Sequence, residues 1–299
     1  MKDNSLSYRI FTIFNYVLLT LIGVVTLFPY LNVLALSLND GLDSMNGGVF
    51  LWPRVPTLDN FRMVLSSNYM SQAVFISVTR VLSGTVLALL VQFSAAYAFT
   101  RKELPGRVGF LIFLTLPMFF SGGLIPQYIL FSKMHLLNTF FVYILPGVFS
   151  FYNMIVIRTY INTIPGSLEE SAKLDGATEI TVFFRIILPL SKPILATIAL
   201  WVAVGHWNDW TTTIYFVTRQ KLFTMQYVLV QFIKEGERIA ALIQQAQMDG
   251  LDTSNMQANS TPEALKSAQV IVTTLPIIMI YPFLQKYFIK GVMIGSVKE

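Results

Sequence analysis

Cysteine is absent from the 299 residues, which removes a disulfide framework, a thiolate nucleophile and a cysteine zinc site. Charge is nearly as scarce. Only 12% of positions are Asp, Glu, Lys or Arg, about half the roughly 25% of an ordinary soluble domain. Two histidines occur, His135 and His206, with no H-E-x-x-H between them, so a zinc-protease helix is excluded. No G-x-x-x-x-G-K-[ST] run is present, and without it the chain lacks the phosphate cradle of an ATPase. Asp209 stands alone as an acid deep in an apolar run, which leaves no aspartyl dyad. Nor does one half of the chain repeat the other, as it often does in secondary transporters.

Apolar residues fill the space that charge leaves. They make up 54% of the chain, and the mean hydropathy is +0.61; lipid is the matching solvent. The net charge of +5 comes from basic residues dispersed among apolar runs. They form no stripe, which fits anchoring at a membrane face and not nucleic-acid binding. Crossing roughly 30 Å of hydrocarbon takes about 20 helical residues, and six runs qualify: 10–38, 74–99, 108–131, 140–157, 194–217 and 269–285. Lys2 and Arg9 precede the first run as they would in a secretory signal. That run is far longer than a signal's apolar region and no small-x-small cleavage site follows, so it is read as an uncleaved first span. The expectation is an all-α polytopic membrane protein with six transmembrane helices in a single domain.

Six crossings put both termini on one side. With the amino terminus inside, the segments 1–9, 100–107, 158–193 and 286–299 carry twelve Lys and Arg in 67 positions, against eight in 94 for 39–73, 132–139 and 218–268. Positive residues favour the cytoplasmic face, so 158–193 is expected in the cytoplasm and 218–268 outside.

The segment 158–193 has its own local logic. Pro165 and Gly166 break what precedes, and Ser167-Leu168-Glu169-Glu170 has the pattern of a capping box, so a short helix is expected from Leu168. Asp175-Gly176 ends it, since glycine reaches left-handed angles cheaply. Thr178 to Leu188 then continues as a second helix up to Pro189. The short helix shows acids on one side and Leu168, Ala172 and Leu174 on the others, a shape suited to a partner's groove. A plain solvated connector would need none of these devices.

Glu170, Ala172, Gly176, Ile186, Leu188 and Pro189 spell E-x-A-x3-G-x9-I-x-L-P. That spacing resembles the cytoplasmic "EAA" loop of bacterial ABC importer permeases of the carbohydrate (maltose or oligosaccharide) type. Ser171 departs from the usual alanine and is also small. Trp207-Asn208-Asp209-Trp210 resembles the W-N-[DE]-[FW] element of these subunits, and 285–298 resembles their terminal signature. The resemblance implies the type I importer permease fold and a subunit without covalent chemistry of its own. It implies a multi-pass place in the bacterial cytoplasmic membrane and, as partners, a second homologous permease, two copies of a cytoplasmic ATPase that hold the ATP and magnesium, and an extracellular solute-binding protein. It also implies that Glu169, Glu170, Ala172, Leu174, Asp175, Gly176, Ala177, Leu188 and Pro189 couple to the ATPase, and that 218–268 faces the binding protein. A self-packed lid is the other reading of that loop, whose amphipathic stretch 232–248 precedes a polar run.

Asp209 and Arg80 are the ionisable residues that lie deep in apolar runs, at depths that could match, and such residues are functional candidates. They either pair or serve separately in a vestibule. Prolines and glycines interrupt the third, fourth and sixth runs, which suits either packing or a path whose walls rock. Tyr152 and Asn153, read as mid-span, either face a sugar or bind helices together; with Asn208 and Asp209 they form the candidate substrate path. No metal site and no bound cofactor are expected. The alternative function is an ion-coupled secondary carrier with Asp209 as its relay.

Overall fold

The computed structural model describes residues 6–45, 47–66, 68–249 and 262–294. Helices and turns make up its regular structure, and among the described residues no strand forms beyond one isolated bridge between Asn39 and Pro56. Two compact units divide the chain, one from Met1–Met70 and Leu229–Leu275, the other from Ser71–Val228 and Pro276–Glu299.

In the first unit, α1 (Leu6–Ser37) is apolar on every face, and none of its most apolar window is buried. A helix of that kind needs lipid or another apolar chain around it. Beyond it the chain makes a braced hook through α2 (Gly41–Met45) and α3 (Asp59–Ser66). The buried Asn39 accepts from the Val55 amide at 2.8 Å and donates to Ser44 Oγ at 2.9 Å and to Asp43. Arg54 closes the hook on Asp43 at 3.0 Å. The bond from Asn39, with Arg54 adding, holds the Asp43 carboxyl below the usual range. Asn60 donates to the carbonyls of Ser37 and Asn39, satisfying the end of α1.

The second unit holds most of α4 (Asn68–Thr100), which with α1 is long and apolar enough to cross a membrane unbroken; two bent pairs raise the number to four by length and composition. The run 108–131 is not one helix. It forms α5 (Arg107–Thr115), a 3₁₀ turn and, after a non-helical stretch, α6 (Leu124–Lys133), because Pro117 and Pro126 bring no amide donor on either side of Gly122-Gly123. The run 140–157 begins as two 3₁₀ turns around Pro146 and becomes helical only in α7 (Phe151–Ile161), with a 48° bend between them. Next come α8 (Ser167–Leu174), α9 (Glu179–Val182), a π turn over Phe183–Ile187 and α10 (Leu188–Leu190); α11 (Lys192–Asn208) leaves that stretch at 75°. The run 194–217 breaks at Asp209 and resumes as α12 (Thr211–Phe216).

α13 (Met225–Met248) begins earlier than the amphipathic stretch read from 232, and the polar run after it, 249–260, lies outside the described residues except for Asp249. The last run, 269–285, lies within α14 (Pro262–Ile294), which contains Pro276 and Pro282. The terminal signature continues past 294 into residues that are also outside the description.

Two apolar clusters form the core of the second unit. One joins Ile76, Phe131, Val142, Tyr143 and Phe216. The other joins Phe93, Met154, Ile157, Val182, Ile187 and Ile198, and it is the floor under the segment 158–193.

Candidate functional site

The short helix α8 opens without a side-chain cap. The amides of Glu169 and Glu170 both reach the Gly166 carbonyl at 3.0 Å, and Ser167 is an exposed first helical residue. The capping-box expectation is corrected here: the Pro165-Gly166 turn already supplies the carbonyl acceptors, so the helix begins one residue early. Its end matches the expectation. Gly176 donates to the Lys173 carbonyl at 3.0 Å and Ala177 to that of Ala172 at 2.9 Å, with Gly176 at φ +84°. These are the two bonds of a Schellman motif, whose turn requires the left-handed residue.

Ala172 and Ala177 pack down on the second core cluster, so Ala172 belongs to the inner face and not to the outer one. Outward stand Glu170, Asp175, Leu168 and Leu174, the last 89% exposed. Ile180 and Phe184 extend that apolar surface and carried no signal in the linear pattern. After the turn, Thr178 Oγ1 accepts from the Thr181 amide and starts α9. The Leu188 amide bonds the Phe183 carbonyl, closing a π turn just ahead of Pro189. Leu188 lies against the core, whereas Pro189 is exposed.

An ionic network seats this knob on the end of α4. Arg101 donates from Nη1 to Glu169 Oε2 and lies 3.4 Å from Glu179 through Nη2. Its guanidinium stands 4.2 Å over the Tyr97 ring, and Tyr97 Oη donates to Glu179 at 2.9 Å. Lys173 forms an ion pair with Glu179 from the other side. The hydrogen bond from Lys173 is the main influence holding the Glu179 carboxyl below its usual range, with Tyr97 and Arg101 adding and burial opposing. Arg158 Nε donates to the Phe99 carbonyl at 3.0 Å, so a second cation meets the carbonyl end of α4. Arg101, Tyr97 and Glu179 were not among the expected site residues. The i, i+4 spacing of Tyr97, in the last turn of α4, and Arg101, the residue just after that helix, was the available signal.

The second candidate region is a cavity of about 270 Å³ whose wall includes Arg80, Tyr143, Pro146, His206, Asp209 and Thr212. Arg80 is 2% exposed, donates to the Asp209 carbonyl at 2.9 Å and pairs with its carboxylate. Of the two readings left open, the geometry therefore selects the pair. Asp209 also accepts from the Thr211 hydroxyl at 2.7 Å and from the Thr212 amide and hydroxyl, which explains why the chain restarts as a helix there. The Arg80 guanidinium lies 4.6 Å over the Tyr143 ring.

The His206 ring lies flat against α4: a Cβ on Gly84 would come within 2.5 Å of Nε2 and 2.9 Å of two ring carbons. Tyr152 and Asn153 follow the bend in the run 140–157. They occupy the first turn of α7, where Ser150 Oγ accepts from the Asn153 amide and Tyr152 stacks on Trp201 at 6.2 Å. Neither they nor the exposed Asn208 line the cavity; of the four path residues, Asp209 does.

A family model described as "Binding-protein-dependent transport system inner membrane component" matches residues 4–294. Protein LplC of Bacillus subtilis (strain 168) is 36% identical over 99% of this chain and 97% of its own length. The polygalacturonan/rhamnogalacturonan transport system permease protein YtcP of the same organism is 32% identical over 97% and 99%. Among solved structures, a chain of a bacterial ABC transporter involved in the import of the acidic polysaccharide alginate superposes with a TM-score of 0.83, at 27% identity, over 96% of this chain and 100% of that one.

Proposed function

This chain belongs to the binding-protein-dependent transport system inner membrane components, and we propose that it forms half of the path by which an ATP-driven importer takes up an oligosaccharide. A second, homologous permease completes the path. Two copies of a cytoplasmic ATPase bind the ATP and magnesium, and an external binding protein delivers the sugar. The chain crosses the membrane six times with both termini inside, the segment 158–193 in the cytoplasm and 218–268 outside. The likeness to YtcP, a polygalacturonan/rhamnogalacturonan permease, and to the alginate transporter supports a carbohydrate cargo.

The observation that carries this reading is the built knob at α8. Leu174 at its tip is 89% exposed, and a leucine buried by a partner contributes about 1.5–3 kcal/mol. Glu170, free of the internal network, meets a basic group of the ATPase in a charge-assisted contact. Glu169, Ala172, Ala177 and Leu188 face inward and hold the knob to its floor; Asp175, Gly176 and Pro189 set its turns. Closure of the ATPases pushes the knob, Arg101 passes the load to α4, and the bend at Ser191 passes it to α11. The helices then rock between outward-open and inward-open states. Asp209 and Arg80 line the passage.

An ion-coupled carrier is the weaker reading. Its relay would have to be Asp209, and that carboxylate already accepts from Arg80, Thr211 and Thr212, bonds that a proton in transit would have to displace. The test is uptake into vesicles holding the reconstituted complex. Labelled oligosaccharide should enter only with binding protein outside and ATP inside, and a cysteine at position 174 should crosslink to the ATPase. Uptake driven by a proton gradient without ATP would sink the proposal.

A further inference from the structure

α1 ends at Ser37, but the chain beyond α2 folds back along it. Asn32, within the last two turns of α1, donates its side-chain amide to the carbonyls of Val49 at 2.8 Å and Phe50 at 2.9 Å. Those bonds fix the next residues beside the helix. Phe50, Leu51 and Trp52 are 65%, 47% and 83% exposed, on a base formed by the buried Val49 and the Arg54–Asp43 bridge. An apolar tip held out on a hydrogen-bonded base calls for an apolar neighbour.

Its level along α1 identifies that neighbour. From Arg9 to Asn32 the helix rises about 35 Å at 1.5 Å per residue, against a hydrocarbon core of roughly 30 Å. With Arg9 at one headgroup layer, Asn32 stands just past the hydrocarbon on the other side, in the zone where tryptophan and other aromatic rings concentrate. The exposed face of α1 runs through Val25, Phe28 and Leu31 to this level without a charged residue. The Asn32 amide also satisfies two carbonyls that would otherwise face a medium poor in water.

We propose that Phe50-Leu51-Trp52 is an interfacial anchor, inserted at the boundary of headgroups and acyl chains on the face opposite Arg9, where it sets the depth of α1. The inference rests on the reading above that α1 spans the bilayer.

The absence of cysteine makes single labels clean. Nitroxides go on Leu51→Cys, Val25→Cys and Arg62→Cys in the assembled transporter, with cysteine-free partners, in phosphatidylethanolamine/phosphatidylglycerol vesicles. The measurement is the ratio of accessibility to oxygen over accessibility to a nickel chelate. At Leu51→Cys it should be several-fold above Arg62→Cys and below Val25→Cys, and Asn32→Ala should lower it toward the Arg62→Cys value. A ratio at Leu51→Cys equal to that at Arg62→Cys puts the tip in water and overturns the anchor; exclusion of both reagents means a protein covers it and overturns it equally. If Val25→Cys itself reads as water, the spanning of α1 fails instead. Trp52→Cys repeats the measurement on the same tip should Leu51→Cys not assemble.

Discussion

Replacing Arg101 with alanine should loosen α8 while leaving the membrane helices folded. Arg101 and Glu169 are 25% and 19% exposed, so their bond lies between a surface ion pair, which contributes up to about 1 kcal/mol, and a buried one, whose breakage costs about 3–5 kcal/mol. Hydrogen bonds to charged groups contribute about 1.5–3 kcal/mol. Partial exposure reduces that to about 1–2 kcal/mol here, and every 1.4 kcal/mol is tenfold in an equilibrium. Native-state hydrogen exchange reads the effect directly, because local opening exposes the amides that the helix protects. In the Arg101→Ala protein, amides of α8 should exchange about tenfold faster, with those of α11 unchanged. Arg101→Lys should fall between, since an ammonium retains the charge but not a fork that reaches both Glu169 and Glu179. Transport should drop with the loss of protection while the complex still assembles. Unaltered exchange in α8, or equal acceleration throughout, would refute the seating role.

Four other outcomes follow from the geometry. Gly176→Val forces a β-branched residue to φ +84°, costing about 1–2 kcal/mol; uptake should fall, and undiminished uptake would discard the role given to that turn. Gly84→Ala drives a methyl into the His206 ring, an overpacking cost of about 1–3 kcal/mol, seen as a lower Tm in detergent; adding His206→Ala should recover part of the loss, and a purely additive double variant would show that the ring is not the obstacle. The Glu179 carboxyl, held below its ordinary 4.5, contributes stability that is complete above that value and is lost as pH falls through the lowered one. Protection of α8 and α9, corrected for intrinsic exchange rates, should therefore be level above about pH 5 and decline in acid, whereas Glu179→Gln should abolish the dependence. Arg80→Ala and Asp209→Ala each strand a charge, costing about 3–5 kcal/mol if fully buried, and should impair expression; Arg80→Asp with Asp209→Arg should exceed either single reversal in uptake, and absence of any rescue would argue against pairing.

The linear pattern was legible where local chemistry decides and silent where distant parts meet. Composition alone implied helices in lipid, and Asp175-Gly176 marked a turn that forms with both of its characteristic bonds. Ser167 misled because a serine three residues before an acid looks the same whether or not a Pro-Gly turn has already supplied the acceptor. Counting apolar residues placed the runs 108–131, 140–157 and 194–217; the prolines and glycines noted in the first two coincide with the breaks before Leu124 and Phe151, whereas the break before Thr211, set by the bonds to Asp209 and not by a proline, was missed. The Arg101–Glu169 bond joins residues 68 apart in sequence, beyond any periodicity, and Arg101 entered the sequence reading only as a unit of charge for orientation. The scarcity of charge offers a better rule. When 12% of residues are ionisable in a chain otherwise made for lipid, desolvation makes an unpaired cation too costly to keep. An arginine near the end or middle of an apolar run is therefore a question about its acceptor, a backbone carbonyl for Arg158 and a specific acid for Arg80 with Asp209 and Arg101 with Glu169.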